Sequence, residues 1–234
     1  DTPNDKPPVV MLHGLVSQSY SWRDVMPALA KHGFRSIAPD WIGHGSSSKP
    51  DKRAFAYDPA TYLNAFADYI KTLELSRFSL VVQGFLGVTG LLYAAQNPDK
   101  IEKLIILNSP LPPDANLPLG VKMMGWPLLG QVITQDPLLV DRTLEGGGPY
   151  EVADDDLDVY RRPFLKSSDV GRALMWNVQS MQLSQVIAQI DQGFSDWPRP
   201  TLVAWGTSDP WLSAEAAKSF AQGLTDGDYV ELAE

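Results

Sequence analysis

The chain has 234 residues, 44% of them hydrophobic and 20% charged, with a formal net charge of -9 and no cysteine. That length supports one well-buried core with an inserted subdomain, and the acidic balance, without a basic run interleaved with aromatics, argues against a nucleic-acid partner. The lack of cysteine removes disulfides, thiol catalysis and Cys-ligated metal, and fits a soluble protein of a reducing compartment; no apolar run reaches the ~18 residues of a membrane span. No targeting peptide is visible, and a chain that begins at Asp1 rather than Met is read as processed, engineered or cut at that end.

Residues 9–12 are a short apolar run ending at His13-Gly14 and predict a buried strand. Residues 21–32 have helical spacing, with Trp22, Val25, Met26, Leu29 and Ala30 on one face and Gly33 as a stop signal. A second strand over 34–39 ends at Asp40, and 41–50 form a Gly/Ser-rich loop. Residues 59–75 predict a helix with Tyr62, Phe66, Tyr69, Ile70 and Leu73 inward. A third strand over 78–82 runs through a sharp turn into a helix over 86–96, stopped by Asn97-Pro98, and a fourth strand follows over 103–107. This alternation implies an α/β fold with a mostly parallel sheet and helices on both faces.

Pro110, Pro112, Pro113 and Pro118 then break the rhythm. Apolar helical stretches over 119–133 and 138–144 are followed by a Gly146-Gly147-Gly148-Pro149 break, the acidic Asp154-Asp155-Asp156 and a helix over 172–190. Residues 111–196 are therefore expected to form an inserted helical cap, with 1–110 and 197–234 as the core. The core rhythm resumes with a strand over 201–205, a helix over 214–222 and the start of a strand over 229–232.

Four motifs in order carry a family resemblance. His13-Gly14 follows the first strand; the loop Asp40-Trp41-Ile42-Gly43-His44-Gly45-Ser46-Ser47-Ser48-Lys49-Pro50 follows the second; Val82-Gln83-Gly84-Phe85 forms the turn after the third; and Gly206-Thr207-Ser208-Asp209-Pro210 follows the strand after the cap. Together they resemble the α/β-hydrolase superfamily, nearest its haloalkane dehalogenase and epoxide hydrolase branch, over nearly the whole chain. The resemblance implies that the turn at Gly84 is a nucleophile elbow, that Asp209 is the acid that orients a catalytic histidine, and that the backbone N–H groups of Leu15 and Phe85 are oxyanion donors. It gives His13 a packing role under its loop, Asp40 and His44 a structural loop beneath the site, and His32 a helix-end role. The family's base is expected after the last strand, beyond Glu234, and two further strands before Pro7, so the chain is read as the middle of a longer one.

At the nucleophile position stands Gly84, which has no side chain, and neither Gln83, Phe85 nor Leu86 replaces it. The glycine that the family favours two residues past the nucleophile comes one later, at Gly87. The expected function is that of a non-catalytic hydrolase-fold protein, a pseudoenzyme serving as scaffold, assembly factor or subunit of a larger complex. Other protein subunits are its expected partners, with a small apolar ligand under the cap and no cofactor or metal. The alternative is an active dehalogenase, epoxide hydrolase or esterase-type hydrolase seen as an inactive variant or truncated chain. Phe85 lacks the indole donor that the dehalogenase branch places after its nucleophile, which leaves Trp126 and Trp176 as pocket candidates. The run Glu145-Gly146-Gly147-Gly148-Pro149-Tyr150 resembles plastid-targeted hydrolase-like proteins of plants and algae, which implies a removed transit peptide and a chloroplast location.

Overall fold

A computed structural model describes residues 6–113, 116–136, 138–146 and 151–232. The short apolar runs become the strands β1 (Val9–Leu12), β2 (Ser36–Ile37), β3 (Phe78–Gln83), β4 (Ile101–Leu107), β5 (Thr201–Gly206) and β6 (Gly227–Leu232). They form one parallel sheet in the order β2-β1-β3-β4-β5-β6. β1 is buried along its whole length and β3 up to Val82, as expected of parallel strands covered on both faces. The register pairs Leu12 with Val82, Gln83 with Leu107 and Leu107 with Ala204, so the carboxyl ends of β1, β3, β4 and β5 share one edge. In open α/β sheets that edge is where ligands bind.

Between the strands run α1 (Val25–Lys31), α2 (Pro59–Thr72) and α3 (Gly87–Gln96), and later α10 (Ala214–Gly223). α2 starts where Asp58 caps the Thr61 N–H at 2.8 Å, with Pro59 in the first turn, and buries Tyr62, Phe66 and Ile70. α3 is buried from Gly87 to Ala94 and packs against β3 and α2. Between β4 and β5 come α4 (Leu119–Met124), α5 (Leu129–Gln135), α6 (Leu139–Leu144), α7 (Asp154–Lys166), α8 (Ser168–Ser180) and α9 (Leu183–Phe194), the last packed on α3. Among the described residues no helix is long and apolar enough to cross a membrane.

Several elements differ from the sequence reading. The helix expected over 21–32 splits into a 3-10 turn at Ser19–Trp22 and the shorter α1, so Trp22 is buried while Val25 is exposed. The second strand shrinks to two paired residues. The stretch 119–133 is two helices separated by Pro127, which has no N–H to continue the ladder. The helix over 172–190 breaks at Met181-Gln182, where Gln182 has a φ of +47, between α8 and α9. The acidic Asp154-Asp155-Asp156 opens α7, where carboxylates favour the positive end of the helix dipole. Of the run 145–150, residues 147–150 lie outside the described residues.

Candidate active site

The turn after β3 places Gly84 in the left-handed region, with φ of +63. Its N–H donates to the carbonyl of Asn108 at 3.0 Å and to that of Leu107 at 3.3 Å, which ties the bend to the end of β4. Its own carbonyl accepts from the Gly87 N–H and from Ser109 Oγ, both at 2.9 Å. A Cβ at Gly87 would stand 2.5 Å from Ser109 Oγ and 3.3 Å from Val82 Cβ, so the glycine one place late is what lets the start of α3 sit against β3 and the segment after β4. A Cβ at Gly84 would lie 3.0 Å from Gly14 Cα and 3.8 Å from the Leu15 nitrogen. The two loops therefore press together across a place where no side chain projects.

A cavity of about 190 Å³ opens above this bend. Leu15, Gly84, Phe85 and Asp209 all border it, so three stretches far apart in sequence meet there. No acceptor for the Leu15 or Phe85 N–H occurs among the described residues, and both residues sit in turns outside any helix or strand. The Asp209 carboxylate accepts from Asn108 Nδ2 at 2.8 Å and from the N–H groups of Trp211 and Leu212 at 2.8 and 3.0 Å. Asn108, at φ +38, also exchanges two hydrogen bonds with the backbone of Gly206, at 2.8 and 3.1 Å. Asn108 thus links the elbow after β3, through its backbone carbonyl, with the acid loop after β5, through its side-chain amide.

The sequence reading did not single out Asn108, Ser17, Ser21 or Trp211, all of which line the cavity. The signal for Asn108 is a polar residue directly after an apolar strand, and for Trp211 its place two residues past Asp209. Ser17 Oγ and Ser21 Oγ are 2.7 Å apart, and Ser21 Oγ lies 3.1 Å from Tyr160 OH of α7. Trp126 and Trp176 do not belong to this cavity. Trp126 is 47% exposed on the loop between α4 and α5, and Trp176 packs against Tyr57 with ring centroids 5.6 Å apart.

His13, His32 and His44 do not line this cavity. The Trp41 N–H donates to His13 Nε2 at 3.0 Å, so the proton sits on Nδ1 and is donated to the Gly14 carbonyl at 2.8 Å. Burial pushes His13 down to about 4 and His44 down to about 3, so both are neutral at pH 7. Asp40 holds its loop by accepting from the Ser19 and Ser46 N–H groups at 2.6 Å each; burial alone would raise its carboxyl, but these bonds hold it below the usual range. His32 closes α1, its N–H on the Leu29 carbonyl at 3.0 Å. No group of three or more His, Asp or Glu among the described residues is placed to hold a metal ion. A larger open groove of about 500 Å³ between α9 and α10 contains none of the elbow residues.

A family model described as alpha/beta hydrolase fold matches residues 7–233. A haloalkane dehalogenase of Mesorhizobium japonicum is 28% identical over 97% of this chain and 77% of its own length. A haloalkane dehalogenase of Psychrobacter cryohalolentis is 29% identical over 89% of this chain and 69% of its own length. The crystal structure of a haloalkane dehalogenase from Bradyrhizobium elkani superposes with a TM-score of 0.83 at 24% identity, over 98% of this chain and 82% of that one, a likeness of fold.

Proposed function

The chain belongs to the alpha/beta hydrolase fold family, and from that premise we propose that it is a non-catalytic member, a hydrolase scaffold that binds without turnover. The observation that carries this reading is Gly84: the bend keeps the left-handed backbone of an elbow and presents only hydrogen to the cavity. Losing the nucleophile of a triad costs on the order of 10⁶ in turnover, and the oxyanion donors and binding alone leave roughly 10³ to 10⁴ over water. The reactive groups that remain are engaged elsewhere. Asp209 is held by three N–H donors, and the cavity serines bond to each other and to Tyr160.

Two kinds of binding fit this scaffold. A small apolar ligand fits the cavity, whose walls include Val16, Val121, Met124 and Leu144. A protein partner fits the outer face of α4 and α5, where Leu119, Trp126, Leu128 and Val132 are 65%, 47%, 78% and 70% exposed. A role as scaffold or subunit of a complex rests on that apolar face. A chloroplast location rests on the patterning of the cap region, the run 145–150 in particular, and imaging of the tagged full-length protein in an algal or plant cell tests it.

The second reading is an active hydrolase. The unpartnered Leu15 and Phe85 N–H groups, the kept Asp209 and the relatives named haloalkane dehalogenases favour it. Assays on halogenated alkanes, epoxides and small esters separate the two readings, with Gly84→Asp run in parallel. Turnover by the unmodified protein refutes the non-catalytic reading; turnover by the Gly84→Asp variant alone supports it and marks the glycine as the missing part.

A further inference from the structure

We infer that the outer face of α4 and α5 joins two copies of this chain about a two-fold axis. The inference rests on the reading that this face seats a protein, and it names that protein. α4 has two sides. Val121 and Met124, three residues apart, are buried and line the cavity, while Leu119 and Lys122 stand exposed on the other side, continued by Trp126 in the turn that follows. At the start of α5, Leu128 and Val132 are four residues apart and are 78% and 70% exposed.

Leu128 is presented by an uncommon turn. Its φ is +64 and its ψ -57, and the Leu129 N–H donates to the Pro127 carbonyl at 2.7 Å. That is a γ-turn of the rare, strained hand. Strained residues cluster where a fold meets its ligands, and the residue held out here is the most exposed large hydrophobic side chain among the described residues. Leu119, Trp126, Leu128, Leu129, Val132 and Leu138 together leave on the order of 600 Å² of apolar side chain in water, the upper end for the largest patch of a monomer. A standard contact buries about 800 Å² per copy, so these side chains supply most of that area and their polar neighbours the rest.

Charge selects the partner. The chain carries 28 Asp and Glu against 19 Lys and Arg, so two copies repel over most of their surfaces. Residues 115–135 contain no carboxylate, and their single charge is Lys122. Asp136, which follows, is paired with Arg142. Two copies therefore approach at least electrostatic cost through this face, and an apolar patch without charge asymmetry is complementary to itself, as a two-fold contact requires. A partner of different sequence is steered by opposite charge, which the patch does not offer. An anionic lipid surface is held by clusters of about 4–8 Lys or Arg, and this stretch has one lysine on an acidic protein.

The test is the solution mass of the unmodified chain between about 1 and 100 μM, by sedimentation equilibrium. The mass is expected to rise with concentration from the 25.7 kDa of one chain toward twice that value. Raising salt from about 0.05 to 0.5 M should strengthen association a few-fold, because it screens the repulsion between two acidic bodies and leaves the apolar contact in place. Leu128→Asp with Val132→Asp should weaken association by at least about 100-fold. A second readout holds even if that variant does not fold. The chain has no cysteine, so the thiol of a Val132→Cys variant should be labelled more slowly as concentration rises, while that of Ser219→Cys, at an exposed position on α10, should not. A chain that stays at 25.7 kDa throughout overturns the inference, as does a dimer that leaves Val132→Cys unprotected. If the monomer instead binds phosphatidylserine vesicles through Leu128 and Val132, the reading of a protein partner falls with it; a monomer that ignores vesicles overturns the two-copy contact alone.

Discussion

Gly84 is held at φ +63 by hydrogen bonds from both sides of the bend, so the backbone of an elbow persists without its side chain. A Cβ added there meets Gly14 Cα at 3.0 Å and forces a side-chain-bearing residue into the left-handed region. Gly84→Ala should cost about 1–3 kcal/mol, read as a lower urea midpoint with unchanged m-value. The buried histidines give a second expectation. His13 and His44 are neutral in the folded chain, with values pushed down to about 4 and 3, and take up protons near 6.5 once unfolded. Their contribution is therefore fully present above about pH 6.5 and is lost as pH falls toward those folded values, by up to ~1.4 kcal/mol per pH unit for each histidine. Urea unfolding at pH 7 and pH 5 should show a loss of about 3–4 kcal/mol, and His44→Gln should remove close to half of that slope. A pH-independent midpoint over this range contradicts the assignment. At this scale Gly84, Leu15, Phe85 and Asp209 were legible because their places follow from a strand running into a turn. Asn108 and Trp211 were not, because what brings them to the cavity is the meeting of β4 and β5, which no local pattern records. Trp126 and Trp176 were misplaced for the same reason: apolar spacing marks a side chain that needs cover, without saying which surface covers it.

The helices between β4 and β5 show what periodicity leaves out. The apolar pattern over 172–190 continues through Gln182, yet the helix stops at Ser180 and a separate helix, α9, starts at Leu183. Gln182 is exposed at φ +47, so Gln182→Gly relieves backbone strain and removes no packing. Its gain should be up to about 1 kcal/mol, seen as a higher thermal midpoint, whereas a loss of stability would show that the side chain holds the break. α7 escaped notice because its first turn is three aspartates, which read as a loop by composition and as a favourable helix start by electrostatics. The strands were easier. β1, β3 and β4 carry apolar runs, and each is followed by residues that line the cavity, so locating the strand also located that edge.

Across the whole molecule, the parallel register brings the ends of β1, β3, β4 and β5 to one edge, and Leu15, Gly84, Phe85 and Asp209 line one cavity there. The alternation of strands and helices made this sheet legible from sequence, while the packing of α4 to α9 over it depends on contacts among helices that are distant in the chain. The outer face of α4 and α5 leaves Leu128 and Val132 largely exposed. If that face seats a protein partner, Leu128→Asp with Val132→Asp should abolish assembly with that partner and leave the fold intact, as judged by circular dichroism and the solution mass of the complex. The central claim is that the site binds without turnover, and a steady-state assay tests it most directly. Halide release, epoxide opening and ester cleavage by the unmodified protein are followed against buffer and against Asp209→Asn. The account predicts product formation no faster than background with every substrate; saturable turnover that is lost in Asp209→Asn would contradict it.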